Sequence, residues 1–208
     1  MELIFATGNK GKLREAREIL EGCVEVVSPA DFGIAREPEE TGLTLRENSL
    51  IKAEFYHAGT GLDCFADDTG LEVDALGGAP GVHAARYAQD IALRDGLPAP
   101  PDHDFSANID ALLRELEKHP GEPRTARFRS VVTLIAGGRR LFFEGTVEGR
   151  IAMSRSGSGG FGYDPVFIAD DYPDRSVSEL PEDIKNSISH RGKALRAMAQ
   201  WLKENYSI

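Results

Sequence analysis

The chain has little cysteine: only Cys23 and Cys64 occur among its 208 residues. Two isolated thiols supply neither a disulfide framework nor a cysteine-rich zinc site, and both read as small core hydrophobes beside strands. Any apolar run long enough to span a membrane is also missing. The opening residues, MELIFATGNKGK, lack the basic segment and long apolar stretch of a secretory signal. The expected setting is therefore a reducing cytoplasm, with no membrane partner. Positive charge is short as well, with 24 Lys and Arg against 34 Asp and Glu, a formal net charge of −10. A nucleic-acid backbone is bound by summed positive charge, so no nucleic acid is expected as a partner. A nucleotide remains open as a substrate, because lysines gathered in one cleft can draw a polyphosphate into a negative protein.

What is present suits a self-supporting globular fold, with 41% hydrophobic and 28% charged residues. Residues 1–208 are read as a single α/β domain, bilobed and with a cleft. Glu2 to Thr7 reads as a strand, Gly8 to Gly11 as a turn, and Lys12 to Glu21 as a helix with Leu13, Ala16 and Leu20 facing inward. With a strand at Val24 to Ser28, this makes the βαβ opening of an α/β sheet. Pro29 to Thr41 reads as loop and Leu45 to His57 as helix. Cys64 to Ala66 reads as a strand entering a turn at Asp67 to Gly70, and Leu71 to Ala75 as extended. Phe105 to His119 predicts an amphipathic helix. Gly137-Gly138 predicts a hairpin between strands at Arg127 to Ala136 and Arg140 to Val147. Ser154 to Gly162 reads as a ligand-approach loop, and Ser187 to Asn205 as the last helix.

Several short segments carry chemistry. Thr7-Gly8-Asn9-Lys10-Gly11-Lys12 lies between strand and helix, where backbone N–H groups and the helix dipole favour an anion. Thr7 and Asn9 can donate hydrogen bonds there, and Lys12 can neutralise a phosphate oxygen. The spacing is not that of a P-loop, and a tight turn with solvated lysines is the competing reading. Asp67 and Asp68 point to opposite faces of a strand, so one can face the cleft, hold Mg²⁺ and orient water while the other anchors the turn. Mg²⁺ takes hard oxygen ligands, commonly one or two carboxylates completed by water and phosphate. Glu40 can reach the same metal, while Asn48 and Lys52, four apart on one helix face, can present an amide and an ammonium to phosphate.

Gly159-Gly160-Phe161-Gly162-Tyr163-Asp164-Pro165 interleaves glycine with aromatics. Phe161 or Tyr163 supplies a stacking face for a base, worth about 1–3 kcal/mol, and Asp164 an acceptor for a ring N–H; core packing under a glycine loop is the alternative. Lys185, Ser189, His190 and Arg191 open the final helix, capped by Asn186 or Ser187. Cations at a helix N-terminus oppose its dipole, so an anion or electron-rich ligand is expected beside His190 and Arg191. No G-x-S-x-G elbow supports a serine hydrolase.

The ordered set Thr7-Gly8-Asn9…Lys12, Glu40-Thr41-Gly42, Glu47-Asn48…Lys52-Ala53, Ala66-Asp67-Asp68-Thr69-Gly70-Leu71, Leu76 to Gly81 with Ala85-Arg86-Tyr87, Gly159 to Pro165, and Ser189-His190-Arg191 resembles the inosine triphosphate pyrophosphatases, or non-standard purine NTP pyrophosphatases. The resemblance spans nearly the whole chain. It implies an elongated mixed central sheet flanked by helices, two lobes with a nucleotide cleft between them, and a homodimer. It implies Mg²⁺-assisted hydrolysis of inosine and xanthosine triphosphates to monophosphate and pyrophosphate. By the same resemblance Asp68 is the catalytic residue and a metal ligand, Glu40 a second metal contact, and Asp67 a supporting residue. Thr7, Gly8, Asn9, Lys10, Gly11, Lys12 and Lys52 become polyphosphate contacts; Thr69, Phe161, Gly162, Tyr163, Asp164, Lys185, His190 and Arg191 become nucleotide contacts. The chain departs from the family at His83 and Ala84, where an aromatic and a serine are common, and Arg94 to Asp104 is individual. A pyrophosphatase of other modified nucleotides and a non-catalytic nucleotide-binding module are the rival functions.

Overall fold

The computed structural model describes residues 1–34 and 36–206. In chain order the elements are β1 (Glu2–Phe5), α1 (Lys10–Ile19), β2 (Glu25–Val27), α2 (Leu45–Thr60), β3 (Cys64–Val73), β4 (Pro80–Gly81) and α3 (Tyr87–Arg94). They continue with α4 (Phe105–Glu117), β5 (Thr125–Ala136), β6 (Arg139–Ile151), β7 (Phe167–Ala169), α5 (Glu182–Ile188) and α6 (His190–Asn205). The class is the expected one, a mixed sheet with helices. Its strands follow the order β2-β1-β3-β5-β6-β7, with β4 on β3. The chain divides into two compact units, one of residues 1–69, 130–146 and 186–208, the other of 70–129 and 147–185.

In the first unit β1 runs parallel to both β2 and β3, pairing Leu3 with Val26 and Phe5 with Phe65. One apolar cluster joins these strands to α1 and α6 through Phe5, Ala16, Leu20, Phe65, Leu195, Met198 and Leu202, all fully buried. The expected inward stripe of α1 holds: Ala16 and Leu20 are buried and Leu13 packs beside them. A second cluster, with Ile4, Ala53, Tyr56 and Ala66, sits against α2. Ser49 of α2 meets Thr133 of β5 at 2.6 Å, so the polar atoms between helix and sheet satisfy each other. Cys23 and Cys64 are buried free thiols, as expected, and burial pushes the Cys64 thiol up to about 12.

In the second unit β4 pairs antiparallel with Leu71 and Glu72 of β3, and β7 pairs antiparallel with Gly149–Ile151 of β6. Helices α3 and α4 pack on each other. Asn108 of α4 accepts the Ala88 N–H and donates to the Ala85 carbonyl, tying the two together. Helix α3 was not anticipated, because it is short and no side chain caps its start at Arg86.

Other boundaries moved for identifiable reasons. Helix α1 begins at Lys10, not Lys12, because Asn9 is its N-cap and accepts from the Gly11 and Lys12 N–H groups. The expected turn at Asp67 to Gly70 does not exist: β3 passes straight through these residues. Both carboxylates find cationic partners inside the protein, so the charges do not end the strand. The last helix is two: α5 stops at Ile188, and Ser189, rather than Asn186 or Ser187, caps α6 by accepting from Gly192 N–H. The Gly137-Gly138 hairpin is present, both residues having positive φ (55° and 73°), a conformation open to glycine.

Candidate active site

The strand-to-helix loop of the first unit is shaped by its own side chains. Thr7 accepts from the Asn9 N–H at 3.1 Å, and Asn9 accepts from the Gly11 and Lys12 N–H groups at 2.9 and 3.1 Å. Asn9 thus caps the helix through its Oδ1, and its amide Nδ2 is not used in the cap. A Cβ at Gly8 would collide with the Glu37 carboxylate, so glycine there permits a close approach to the backbone. Helix α1 then carries Lys12 inward, and its Nζ lies 3.1 Å from Asp67 Oδ1.

Asp67 is the hub of a buried ionic network. Its side chain is 1% exposed; it accepts from Lys12 and, at 2.8 Å, from Arg191 Nε. Thr69 approaches its Oδ2 at 3.4 Å. Arg191 also donates to Glu15, which accepts in turn from Ser189 Oγ at 2.9 Å. The awkward cation at the start of α6 is thus balanced by two carboxylates. Close approach helps to set this geometry, since a Cβ at Gly145 of β6 would strike the His190 carbonyl. Burial alone would raise the Asp67 carboxyl, but Lys12, Arg191 and Lys52 hold it far below the usual carboxylate range. Burial tends to lower Arg191, yet Asp67 and Glu15 outweigh it and hold the guanidinium charged. Burial pulls Lys12 below an ordinary lysine, against the opposing pull of Asp67.

Asp68 faces the other side of β3, and Lys52 Nζ bridges it to Glu40, at 2.9 Å from Asp68 Oδ1 and 3.1 Å from Glu40 Oε1. Lys52 is raised: burial opposes its charge, but Asp68 and Glu40 overcome that. Asp68 is also raised, by burial first, which the Lys52 ammonium only partly offsets. Its Oδ2 is buried and has no hydrogen-bond partner among the described residues. A carboxylate oxygen in that condition is costly, and it is open to a cation or to the proton of a water. Asn48 is 1% exposed and its Oδ1 accepts the Gly42 N–H at 2.8 Å, so its amide oxygen is used inside the protein. It fixes the loop that carries Glu40. Glu47 caps α2 with Thr44.

The second unit holds Phe161, Gly162, Tyr163, Asp164 and Lys185. Tyr163 is not a stacking surface: it is 3% exposed and its hydroxyl donates to the Ala84 carbonyl at 2.8 Å. Phe161 is the accessible ring, 50% exposed, with Lys185 Nζ 5.0 Å from its centroid. Asp164 Oδ2 accepts from the Phe161 N–H at 3.0 Å and from Lys185, so it organises this loop. Gly162 has φ +63°, open to glycine, and packs by the ring of Phe105.

The structure therefore gathers Lys12, Lys52, Glu40, Asp67, Asp68, Thr69 and Arg191 in one unit, and Phe161, Gly162, Asp164 and Lys185 in the other. Glu15 was missed, although its place three residues after Lys12 on α1 puts both on one helix face. Among the described residues no cluster of three or more His, Cys, Asp or Glu side chains is arranged around a metal position.

A helix N-terminus, two inward lysines and a carboxylate with a bare oxygen make a set chemically suited to a phosphate ester. The Ham1 family matches over residues 3–201, and the chain belongs to that family. It is 50% identical over 201 residues to the dITP/XTP pyrophosphatase of Porphyromonas gingivalis, covering 97% of each chain. Among solved structures it is similar to a HAM1 protein from Coxiella burnetii, with a TM-score of 0.87, 35% identity, and coverage of 98% of this chain and 99% of that one. The Staphylococcus aureus Ham1 protein gives a TM-score of 0.84 at 32% identity, covering 99% of this chain and 100% of its own.

Proposed function

We propose that the chain hydrolyses inosine and xanthosine triphosphates, ribo or deoxy, to the monophosphate and pyrophosphate. The observation that carries the chemistry is Asp68, buried, raised in pKa, with Lys52 on its Oδ1 and its Oδ2 unpartnered. The full-length likeness to a dITP/XTP pyrophosphatase supports the substrate class.

In this reading Thr7 to Lys12 and Lys52 take the triphosphate. Phe161 stacks on the base, with Gly162, Asp164 and Lys185 holding the loop and Thr69, His190 and Arg191 completing the nucleotide contacts. Tyr163 supports them from the core. Water attacks the α-phosphorus; its proton passes to Asp68 Oδ2 as the bond from that phosphorus to the bridging oxygen breaks and pyrophosphate leaves. A carboxylate with a raised pKa is a better base than an ordinary one, and the lysines offset charge on the leaving group. Base choice follows from the 6-oxo group of hypoxanthine and xanthine, an acceptor for protein donors that the 6-amino group of adenine would leave unpaired, at about 1–3 kcal/mol each.

The residues also fit Mg²⁺. Lys12, Lys52 and Arg191 bring three positive charges against the four carboxylates Glu15, Glu40, Asp67 and Asp68. The set is thus one positive charge short of balance before any triphosphate arrives. Asp68 and Glu40 would hold the ion, and two carboxylates completed by water and phosphate oxygens are its usual company. When bound, it supplies positive charge beside the reacting phosphate. We also read the protein as a cytoplasmic homodimer; Leu93 in the last turn of α3 and Leu97 just beyond it, 70% and 57% exposed, are in keeping with the dimer, and light scattering reads the mass directly.

Product analysis tests the function. ITP, XTP, GTP and ATP are incubated with the protein and Mg²⁺, and pyrophosphate is separated from orthophosphate. Pyrophosphate with monophosphate, fastest from ITP or XTP, is expected; orthophosphate, or equal rates on all four, would sink the proposal.

A further inference from the structure

The loop that carries Phe161 does not hold itself. Gly157, Gly160 and Gly162 all have positive φ, at 72°, 78° and 63°, and with Gly159 they make four glycines in six residues, a chain with high conformational entropy to lose. The short helical turn at Val177–Glu179 restrains it. Ser178 Oγ donates to the Ser156 carbonyl, and so does Ser176 Oγ, at 3.1 Å. Ser156 Oγ donates to Glu179 Oε2 at 2.8 Å. On its backbone Ser178 accepts the Gly159 N–H at 3.3 Å and donates to the Asp164 carbonyl at 3.2 Å. One residue thus grips the loop on both sides of Phe161.

The fit is close. A Cβ at Gly157 would strike the Ser178 hydroxyl, and one at Gly159 would lie 2.8 Å from the Ser178 carbonyl. Ser176 is 1% exposed and Ser178 7%, so these hydrogen bonds are shielded from water. Glu179 lies below its ordinary carboxyl value chiefly because the Ser176 N–H and the Ser156 hydroxyl bond its charged form. A carboxylate held that way keeps its place at neutral pH.

We propose that Ser178, with Ser176, is a positioning residue for base recognition: the two hydroxyls clamp the Ser156 carbonyl and thereby fix the backbone that sets Phe161 and Asp164. This rests on the reading of Phe161 as the stacking face for the base. The serines touch no substrate; they lower the entropy the loop must lose when a base stacks on it. Their removal weakens the base half of binding and leaves the phosphate half alone.

The test is the variant S176A/S178A beside wild type, with Ser178→Ala as the milder form. With ITP, KM is expected to rise about tenfold in the double variant, the equivalent of about one to two buried hydrogen bonds, with kcat within about twofold. Inorganic tripolyphosphate, a competitor without a base, should inhibit wild type and variant with the same constant. The Gly159 and Phe161 amides should exchange with deuterated solvent faster in the variants, a readout that needs no turnover. Unchanged exchange, an unchanged KM, or a parallel loss of tripolyphosphate binding would overturn the clamp. Failure of wild type to release pyrophosphate from ITP strikes the proposed function instead, and the exchange comparison still judges the clamp.

Discussion

Asp67 and Asp68 are chain neighbours, both buried, and the structure predicts that neutralising them has different consequences. Asp67→Asn removes the charge from a hub whose side chain is 1% exposed and which pairs with Lys12 at 3.1 Å and Arg191 at 2.8 Å. Arg191 keeps Glu15, but Lys12 is left buried without its carboxylate. Breaking a buried pair from one side costs about 3–5 kcal/mol, and the low end applies because the Asn oxygen still accepts one hydrogen bond. A loss of about 3 kcal/mol in a chain of this size is a fall in Tm of roughly 6–12 °C. Asp68→Asn differs. Its carboxyl is raised, so the folded protein carries a cost for ionising it, present at all pH values above that raised pKa. Lys52 keeps Glu40 in that variant, so the Asn protein should melt closer to wild type than Asp67→Asn while its kcat collapses. Melting curves at several pH values measure both. Asp67 is depressed, so its contribution is complete above the ordinary carboxylate pKa and is lost only as pH falls through its own low value. The Asp67→Asn deficit should therefore stay constant from about pH 8 to 5 and shrink only below about pH 4. Equal melting shifts for the two variants, or a deficit that vanishes near neutrality, would refute the division of labour.

Two further outcomes follow from the same geometry. Lys52→Met strips Asp68 and Glu40 of their shared ammonium; kcat/KM should fall about a hundredfold, and the acid limb of its pH profile should move to higher pH because Lys52 normally lowers Asp68. Tyr163→Phe leaves the Ala84 carbonyl without its donor, costing about 1–3 kcal/mol of stability in a melt, with the ITP-over-ATP ratio unchanged because that ring is buried.

The parts of this site legible from sequence were those fixed by local chemistry. The β1–α1 loop, the Gly137-Gly138 hairpin and the Phe161 loop announce themselves through glycine and capping residues. Long-range pairing was hidden. Asp67 to Gly70 looked like a turn because two adjacent acids disfavour a strand, and only Lys12, Lys52 and Arg191, brought in from three helices, make that strand tolerable. For the same reason the bond of Asn48 to Gly42 was not anticipated, and Glu15 was passed over because only the fold brings Arg191 to it. Tyr163 and Phe161 are equivalent in sequence; burial alone separates them.

Hydrolysis of ITP in water enriched in heavy oxygen, with mass analysis of both products, tests the central claim most directly. Attack on the α-phosphorus assisted by Asp68 predicts the heavy atom in the inosine monophosphate and none in the pyrophosphate. Label in pyrophosphate or orthophosphate would place the attack on another phosphorus and contradict the account.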